Sequence, residues 1–129
     1  MRLTKMFRVA LVLLTVTVSS GCAKASLADD PEIRKFPKAE VTKVLEFTKD
    51  APKNEQRTAA LDMLRFRSDC THLTTAIATL KATGKAPPLT KESFQSSGMK
   101  EIYDSFLRKW FAEGSLTDLE KNAKMNCSE

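Results

Sequence analysis

The longest stretch of this sequence without proline or glycine runs from Lys53 to Thr83, and it predicts one long helix. Asn54 is a suitable N-cap for this helix, and Gly84 can adopt the left-handed conformation that ends many helices. Apolar residues recur within the stretch at spacings of four and three, which is typical of a heptad-like seam. The seam consists of Ala59, Met63, Phe66, Cys70, Leu73, Ile77 and Leu80. Its register places Cys70 toward the core, whereas Leu61 and Leu64 point away and are expected to cover a neighbouring helix.

The other segments also predict helices, because none alternates apolar and polar residues over a useful length. Pro37 suits the first turn of a short helix, and Gly98 precedes a longer helix expected from Met99 to Ala112. A last helix is expected after Gly114, with Leu116, Leu119 and Ala123 on one face. The sequence therefore predicts an all-α fold, a small bundle of four or five helices with one disulfide.

The first 18 residues have the layout of a secretory signal peptide. Arg2, Lys5 and Arg8 precede the ten-residue run from Val9 to Val18, which contains only Val, Leu, Ala and Thr. A basic segment before about 7–15 apolar residues is typical of such leaders. The run is shorter than the ~20 residues that a transmembrane helix needs. We therefore expect the chain to be exported.

Two cleavage sites compete at the end of this leader. Ser19-Ser20-Gly21-Cys22 resembles the lipobox of bacterial lipoproteins, in which a small residue precedes a cysteine that is lipidated and becomes residue one. A lipobox usually has Leu three places before the cysteine, where this chain has Ser19. Ala23-Lys24-Ala25 instead fits the small-x-small rule of the general signal peptidase.

The two sites imply different locations. The resemblance to a lipobox implies that Cys22 carries a lipid anchor with acyl chains such as palmitate. In a Gram-negative host, Ala23 after that cysteine favours the periplasmic side of the outer membrane. Cleavage after Ala25 would leave the protein free in the periplasm or secreted. The expected organisation is a lipoprotein-type signal peptide over 1–21 (alternatively 1–25), a tether over 22–36 and a helical domain over 37–129.

Cys70 and Cys127 are expected to form a disulfide, because Cys22 is either lipidated or removed with the leader. Exported chains mature in an oxidising compartment, where a pair of cysteines is typical of one bridge. Cys70, His72 and Cys127 fall short of the roughly four ligands of a zinc site. We expect no metal and no other cofactor.

The net charge of +5 is a property of the leader more than of the mature protein. Without the basic residues before Ser26, the chain holds 17 basic residues against 16 acidic ones. The four basic residues left out of this count are Arg2, Lys5, Arg8 and Lys24. Nucleic-acid binding requires a strongly basic face, so we do not expect a nucleic acid as the partner.

The helix expected from Met99 to Ala112 carries the candidate partner-binding residues. Its apolar residues cover about 180° of the helix surface, whereas one buried face needs only about 100°. Packing on two sides would explain that width. Alternatively, Tyr103, Trp110 or Phe111 stays exposed as a protein-binding patch, since exposed aromatics are favoured anchors.

Catalysis is not expected, because no G-x-S-x-G motif or glycine-rich phosphate loop occurs. The single histidine, His72, is expected to be exposed and to point away from Cys70. These features favour a small cell-envelope protein that binds or inhibits another protein, as immunity, exclusion and inhibitor proteins do. The alternatives are an accessory lipoprotein of a secretion or conjugation machine, and a periplasmic chaperone.

We predict that the mature protein begins at Cys22 and carries the lipid there. Mass spectrometry of the intact protein from a bacterial host tests this, and Cys22→Ser should abolish both the lipid mass and membrane association. An unmodified chain that begins at Ser26 would contradict the prediction.

Overall fold

The computed structural model of the chain describes residues 26–128, and four helices dominate it. Helix α1 is Lys38–Thr48, α2 is Lys53–Thr83 and α4 is Leu116–Cys127. Helix α3 is composite, with α-helical parts Ser97–Ile102 and Arg108–Glu113 on either side of a π-helical part, Tyr103–Leu107. Short 3-10 helices occupy Leu27–Asp29, Ile33–Lys35 and Lys91–Ser93.

Residues 26–128 contain no strand, and the prediction of an all-α bundle with one disulfide is confirmed. No helix in this part of the chain has the length and apolar character to cross a bilayer.

The ends of α2 follow from local chemistry. Gly84 has a φ of 73°, and its N–H donates to the carbonyl of Leu80, as predicted for a glycine that ends a helix. The start differs from the prediction, because Pro52 rather than Asn54 occupies the N-cap position. The Gln56 amide donates to the carbonyls of Lys49 and Ala51, both at 3.0 Å, and so closes the turn between α1 and α2.

Helix α2 buries opposite faces in its two halves. The second half of α2 packs with α3 and α4 in what we call the first cluster. The first half of α2 packs with α1 in a separate, second cluster. Leu64 and Leu73 represent the two faces, since nine residues correspond to about 180° around a helix. The first cluster contains Leu73, Ala76, Ile77, Leu80, Phe94, Met99, Tyr103, Leu107, Phe111 and Leu119. The second contains Ile33, Val41, Val44, Ala60, Leu61 and Leu64.

The prediction of one continuous seam along α2 is therefore wrong for its first half. Ala59 and Met63 are only half-buried there. Leu61 and Leu64 cover a neighbouring helix as expected, since they pack with residues of α1 and are only 5% and 1% exposed. The reason is that α1 lies on one side of α2 and α3 and α4 lie on the other, so no single face serves the whole helix.

Residues 26–36, which the sequence analysis assigned to a tether, pack on the helical domain. Ile33 is completely buried in the second cluster, and Leu27 and Phe36 pack against that cluster. Asp30 forms an ion pair with Arg57, at 2.6 Å between Oδ2 and Nε. The hydrogen bond from Arg57 holds the pKa of Asp30 below its ordinary value. The burial of Ile33 and this pair fix the segment to α2.

Asp69 connects the middle of α2 to the start of α3. Its carboxylate is 1% exposed and accepts hydrogen bonds from the N–H groups of Gln95 and Ser96 and from the Ser96 hydroxyl, each at 2.7 Å. The Ser96 hydroxyl accepts in turn from the N–H of Met99 at 3.1 Å, which caps α3. A buried carboxylate requires such donors because desolvation is costly for a charge. These bonds fix where α3 begins.

The predicted bridge between Cys70 and Cys127 is present, with Cα atoms 5.6 Å apart. It joins the residue after Asp69 to the last residue of α4. The end of α4 is thus held against the middle of α2, as the sequence predicted.

We predict that Asp69→Ala lowers the free energy of unfolding by roughly 3 kcal/mol, because buried N–H and hydroxyl donors lose their acceptor. Urea denaturation followed by circular dichroism measures the change. Asp62→Ala is the matched control, since Asp62 is an exposed residue of the same helix, and it should cost less than about 0.5 kcal/mol. Equal effects of the two substitutions would show that the Asp69 bonds do not stabilise the fold.

Candidate functional site

Two of the three aromatic residues proposed from the sequence as a binding patch lie in the core. Tyr103 is 6% exposed and Phe111 is 5% exposed. The Tyr103 hydroxyl donates to the carbonyl of Leu89 at 2.8 Å, and its ring centroid lies 5.8 Å from that of Phe94. Tyr103 and Phe111 are therefore core residues, and Trp110 is the one of the three candidates that keeps exposed surface.

The π-helical part of α3 explains this outcome. The buried residues Met99, Tyr103, Leu107 and Phe111 are spaced by four. In an ideal α-helix each such step would turn the side chain by about 40°. The i to i+5 bonds of a π-helix enlarge the turn, so the four residues stay on one buried face. An α-helical wheel therefore overestimates the apolar width of this helix. The strict spacing of four was the feature of the sequence that could have indicated a single buried face.

Trp110 is the one member of the predicted patch with substantial remaining surface. It is half-buried and packs on Phe106, with ring centroids 4.6 Å apart and an interplanar angle of 38°. Both rings pack against the first cluster. This pair is a small aromatic surface on α3.

A larger apolar surface lies between α1, α2 and the end of α4. It is a groove of about 880 Å³, which we call the disulfide groove because Cys70 and Cys127 both line it. Its apolar lining also includes Phe47, Met63 and Phe66, and its polar lining includes threonines of α2. Asn126, Cys127 and Ser128 of the C-terminal segment form one wall.

The groove exists because the buried face of α2 changes sides. Met63 packs against the second cluster, and Phe66 packs against the first. Between the two clusters, the flank of α2 is covered by neither α1 nor α3. This flank is the floor of the groove, and its apolar side chains remain only half-buried.

Phe47 is the most exposed aromatic side chain beside this floor. It is 59% exposed, and the residues of α1 that pack inward are Val41, Val44 and Thr48. An isolated apolar residue at the surface is ordinary, whereas one that adjoins further apolar side chains marks an interaction surface. Phe47 lines the groove together with Met63 and Phe66 and meets that description.

An ion pair borders the groove. The Arg67 guanidinium donates to the Glu40 carboxylate through Nε at 2.6 Å and Nη2 at 3.3 Å, a two-point geometry that fixes both side chains. The pair also lines a second groove of about 360 Å³ that includes Leu64 and His72, so it forms the wall that the two grooves share. His72 is exposed, as predicted, and its ring lies 5.5 Å from Phe94.

The threonines of the groove already use their hydroxyl protons within α2. Thr71, Thr74 and Thr75 donate to the carbonyls four residues earlier, at 3.3, 2.7 and 2.9 Å. Covering these side chains with a partner would therefore leave few donors unsatisfied. The lining is suited to contact with apolar surface.

Residues 26–128 contain no group of three or more His, Cys, Asp or Glu side chains that could hold a metal ion. Cys22, the predicted lipid attachment site, lies outside the described residues. Comparison with known proteins finds no protein-family model, no curated protein and no solved structure that matches the chain.

We predict different losses of stability for two adjacent aromatics of α3. Phe111→Ala should cost roughly 3–5 kcal/mol because it leaves a cavity in the core. Trp110→Ala should cost only about 1–2 kcal/mol because less apolar surface of Trp110 is buried. Urea denaturation of both variants measures the difference, and an equal loss would place Trp110 in the core with Phe111.

Proposed function

We propose that this chain is a small exported protein-binding module of the bacterial cell envelope and that it binds its partner through the disulfide groove. The observation that carries the proposal is the position of Phe47, 59% exposed beside Met63 and Phe66. An aromatic anchor next to an apolar cleft is the kind of surface at which binding energy concentrates. Immunity, exclusion and inhibitor proteins act through such binding alone.

The envelope location is supported by the leader sequence and by the bridge between Cys70 and Cys127. Disulfides persist in exported proteins and are rare in reducing compartments. In the proposed mature form, Cys22 carries the lipid and holds the domain on the periplasmic side of the outer membrane.

The groove fits an apolar segment of another protein, such as one face of an amphipathic helix. The rings of Phe47 and Phe66 and the thioether of Met63 would contact the apolar side chains. The Glu40–Arg67 pair, bonded at 2.6 Å, lies at the border and would orient polar groups of the partner. A role by binding also requires a preformed surface, and the bridge and the two clusters supply rigid walls.

A second candidate function is that of an assembly accessory, which contacts more than one protein. The Phe106–Trp110 pair favours it, because these rings are half-buried and neither lines the disulfide groove. Substitution of Trp110 separates the two candidates. A module that uses the groove alone keeps its affinity in Trp110→Ala, and an accessory with two contact surfaces loses one partner.

We predict that a photoreactive benzoylphenylalanine in place of Phe47 cross-links to a discrete partner in the host envelope. The same group in place of Met125 is the control, because Met125 is 71% exposed and does not line the groove. With the captured partner purified, Phe47→Ala should weaken binding about 30-fold, the effect of losing a hot-spot side chain worth roughly 2 kcal/mol. Equal cross-linking at both positions, or none at position 47, would contradict the proposed site.

A further inference from the structure

The bridge between Cys70 and Cys127 is part of the groove as well as part of the fold. Both half-buried cysteines line the groove, and so do Asn126 and Ser128 on either side of Cys127. Cys70 lies on the floor formed by α2, and Cys127 is the last residue of α4. The covalent bond therefore connects the floor of the groove to one of its walls.

The last turn of α4 has no buried side chain, and Cys127 is its one apolar residue that packs against the first cluster. The buried residues of α4 are Leu119 and Asn122, which precede this turn, and the buried Asn122 Oδ1 has no hydrogen-bond partner among the described residues. The Asn126 amide and the Ser128 hydroxyl donate to the carbonyls of Asn122 and Lys124, within the same segment. Helix ends with few tertiary contacts open readily.

We propose that the disulfide groove is a redox-gated binding site, closed on its α4 side only while Cys70 and Cys127 are joined. This inference rests on the proposed function, since it concerns the regulation of the same groove. Without the bridge, the wall of Asn126, Cys127 and Ser128 separates from α2 and the groove loses the contacts that this wall supplies. Phe47 and Met63 remain in place, because α1 and the first half of α2 belong to the other cluster.

The gating step is thiol–disulfide exchange with a dithiol reductant. A thiolate of the reductant attacks one sulfur of the bridge, and the other sulfur leaves as a thiolate that takes up a proton. The second thiol of the reductant then attacks the mixed disulfide and releases the remaining cysteine as a thiol. Two electrons and two protons pass to Cys70 and Cys127, and the reductant becomes a disulfide. Both sulfurs belong to residues that line an open groove, which gives the reductant access.

The direction of the gate follows from the two compartments. In a reducing compartment the thiol form is maintained, the last turn of α4 is loose and the partner is bound weakly. In an oxidising compartment the bridge forms and holds the α4 wall of the groove against α2. The gate thus confines tight binding to the exported protein.

Hydrogen–deuterium exchange of the mature protein tests the gate without a partner. After reduction with dithiothreitol, the amides of residues 123–127 should exchange at least tenfold faster, while those of residues 41–48 and 60–66 change less than twofold. Cys127→Ser in oxidising buffer should reproduce the reduced pattern. Unchanged exchange at 123–127 would overturn the inference. A loss of protection across the whole domain would also overturn it, because the bridge would then stabilise the entire fold rather than one wall of the groove.

Cross-linking through benzoylphenylalanine at position 47 supplies the second measurement. The cross-linked product should fall at least tenfold in Cys127→Ser and persist in Met125→Ser, a control in the same turn that keeps the bridge. Undiminished cross-linking in Cys127→Ser would overturn the gate. An absence of cross-linking from position 47 in the protein with an intact bridge would contradict the proposed function instead. Hydrogen exchange would still decide whether the wall depends on the bridge.

Discussion

The buried carboxylate of Asp69 is the interaction on which the arrangement of the second half of the chain depends. Its oxygens lie 2.7 Å from the N–H groups of Gln95 and Ser96 and from the Ser96 hydroxyl. The charge can stay at 1% exposure only because these donors replace water. The N-terminal end of a helix also favours a nearby negative charge. The position of α3, and with it the first cluster, is therefore fixed by one side chain of α2.

The next residue of α2 holds the other end of the same unit. Cys70 is bonded to Cys127, 57 residues further along the chain. On the chain-entropy model, closing a loop of that length stabilises the fold by about 4 kcal/mol. Asp69 and Cys70 therefore hold the start of α3 and the end of α4 at nearly the same height along α2. The chain between them packs mainly through the apolar side chains of the first cluster.

The candidate site is a consequence of this packing. Because α1 lies on one face of α2 and α3 and α4 lie on the opposite face, a flank of α2 remains between the two clusters. Apolar residues on that flank, including Met63 and Phe66, cannot be fully buried by either group of helices. The exposed ring of Phe47 and the disulfide complete the surface. The same feature that divides the core into two clusters thus creates the groove that we propose as the binding site.

The sequence by itself determined what depends on interactions within a few residues. The end of α2 at Gly84 and the end of α3 at Gly114 follow from left-handed glycines, whereas α3, expected to start at Met99, starts at Ser97 after the Ser96 cap. The pairing of Cys70 with Cys127, 57 residues apart, was predicted instead from the cysteine count, on the expectation that Cys22 is lipidated or removed. These features need no knowledge of neighbouring helices, and for that reason they were predictable.

Only the tertiary structure decided which faces are buried and where the site lies. Leu61, Leu64 and the predicted seam offered α2 two alternative apolar faces, and the positions of α1, α3 and α4 determined which face each half buries. Trp110 was the one predicted aromatic to keep substantial exposure, because the π-helical part of α3 turned Tyr103 and Phe111 inward. Phe47 was missed, although an aromatic outside the apolar stripe of α1 was a usable signal. Burial depends on contacts between residues distant in the chain, and the periodicity of a single helix does not contain them.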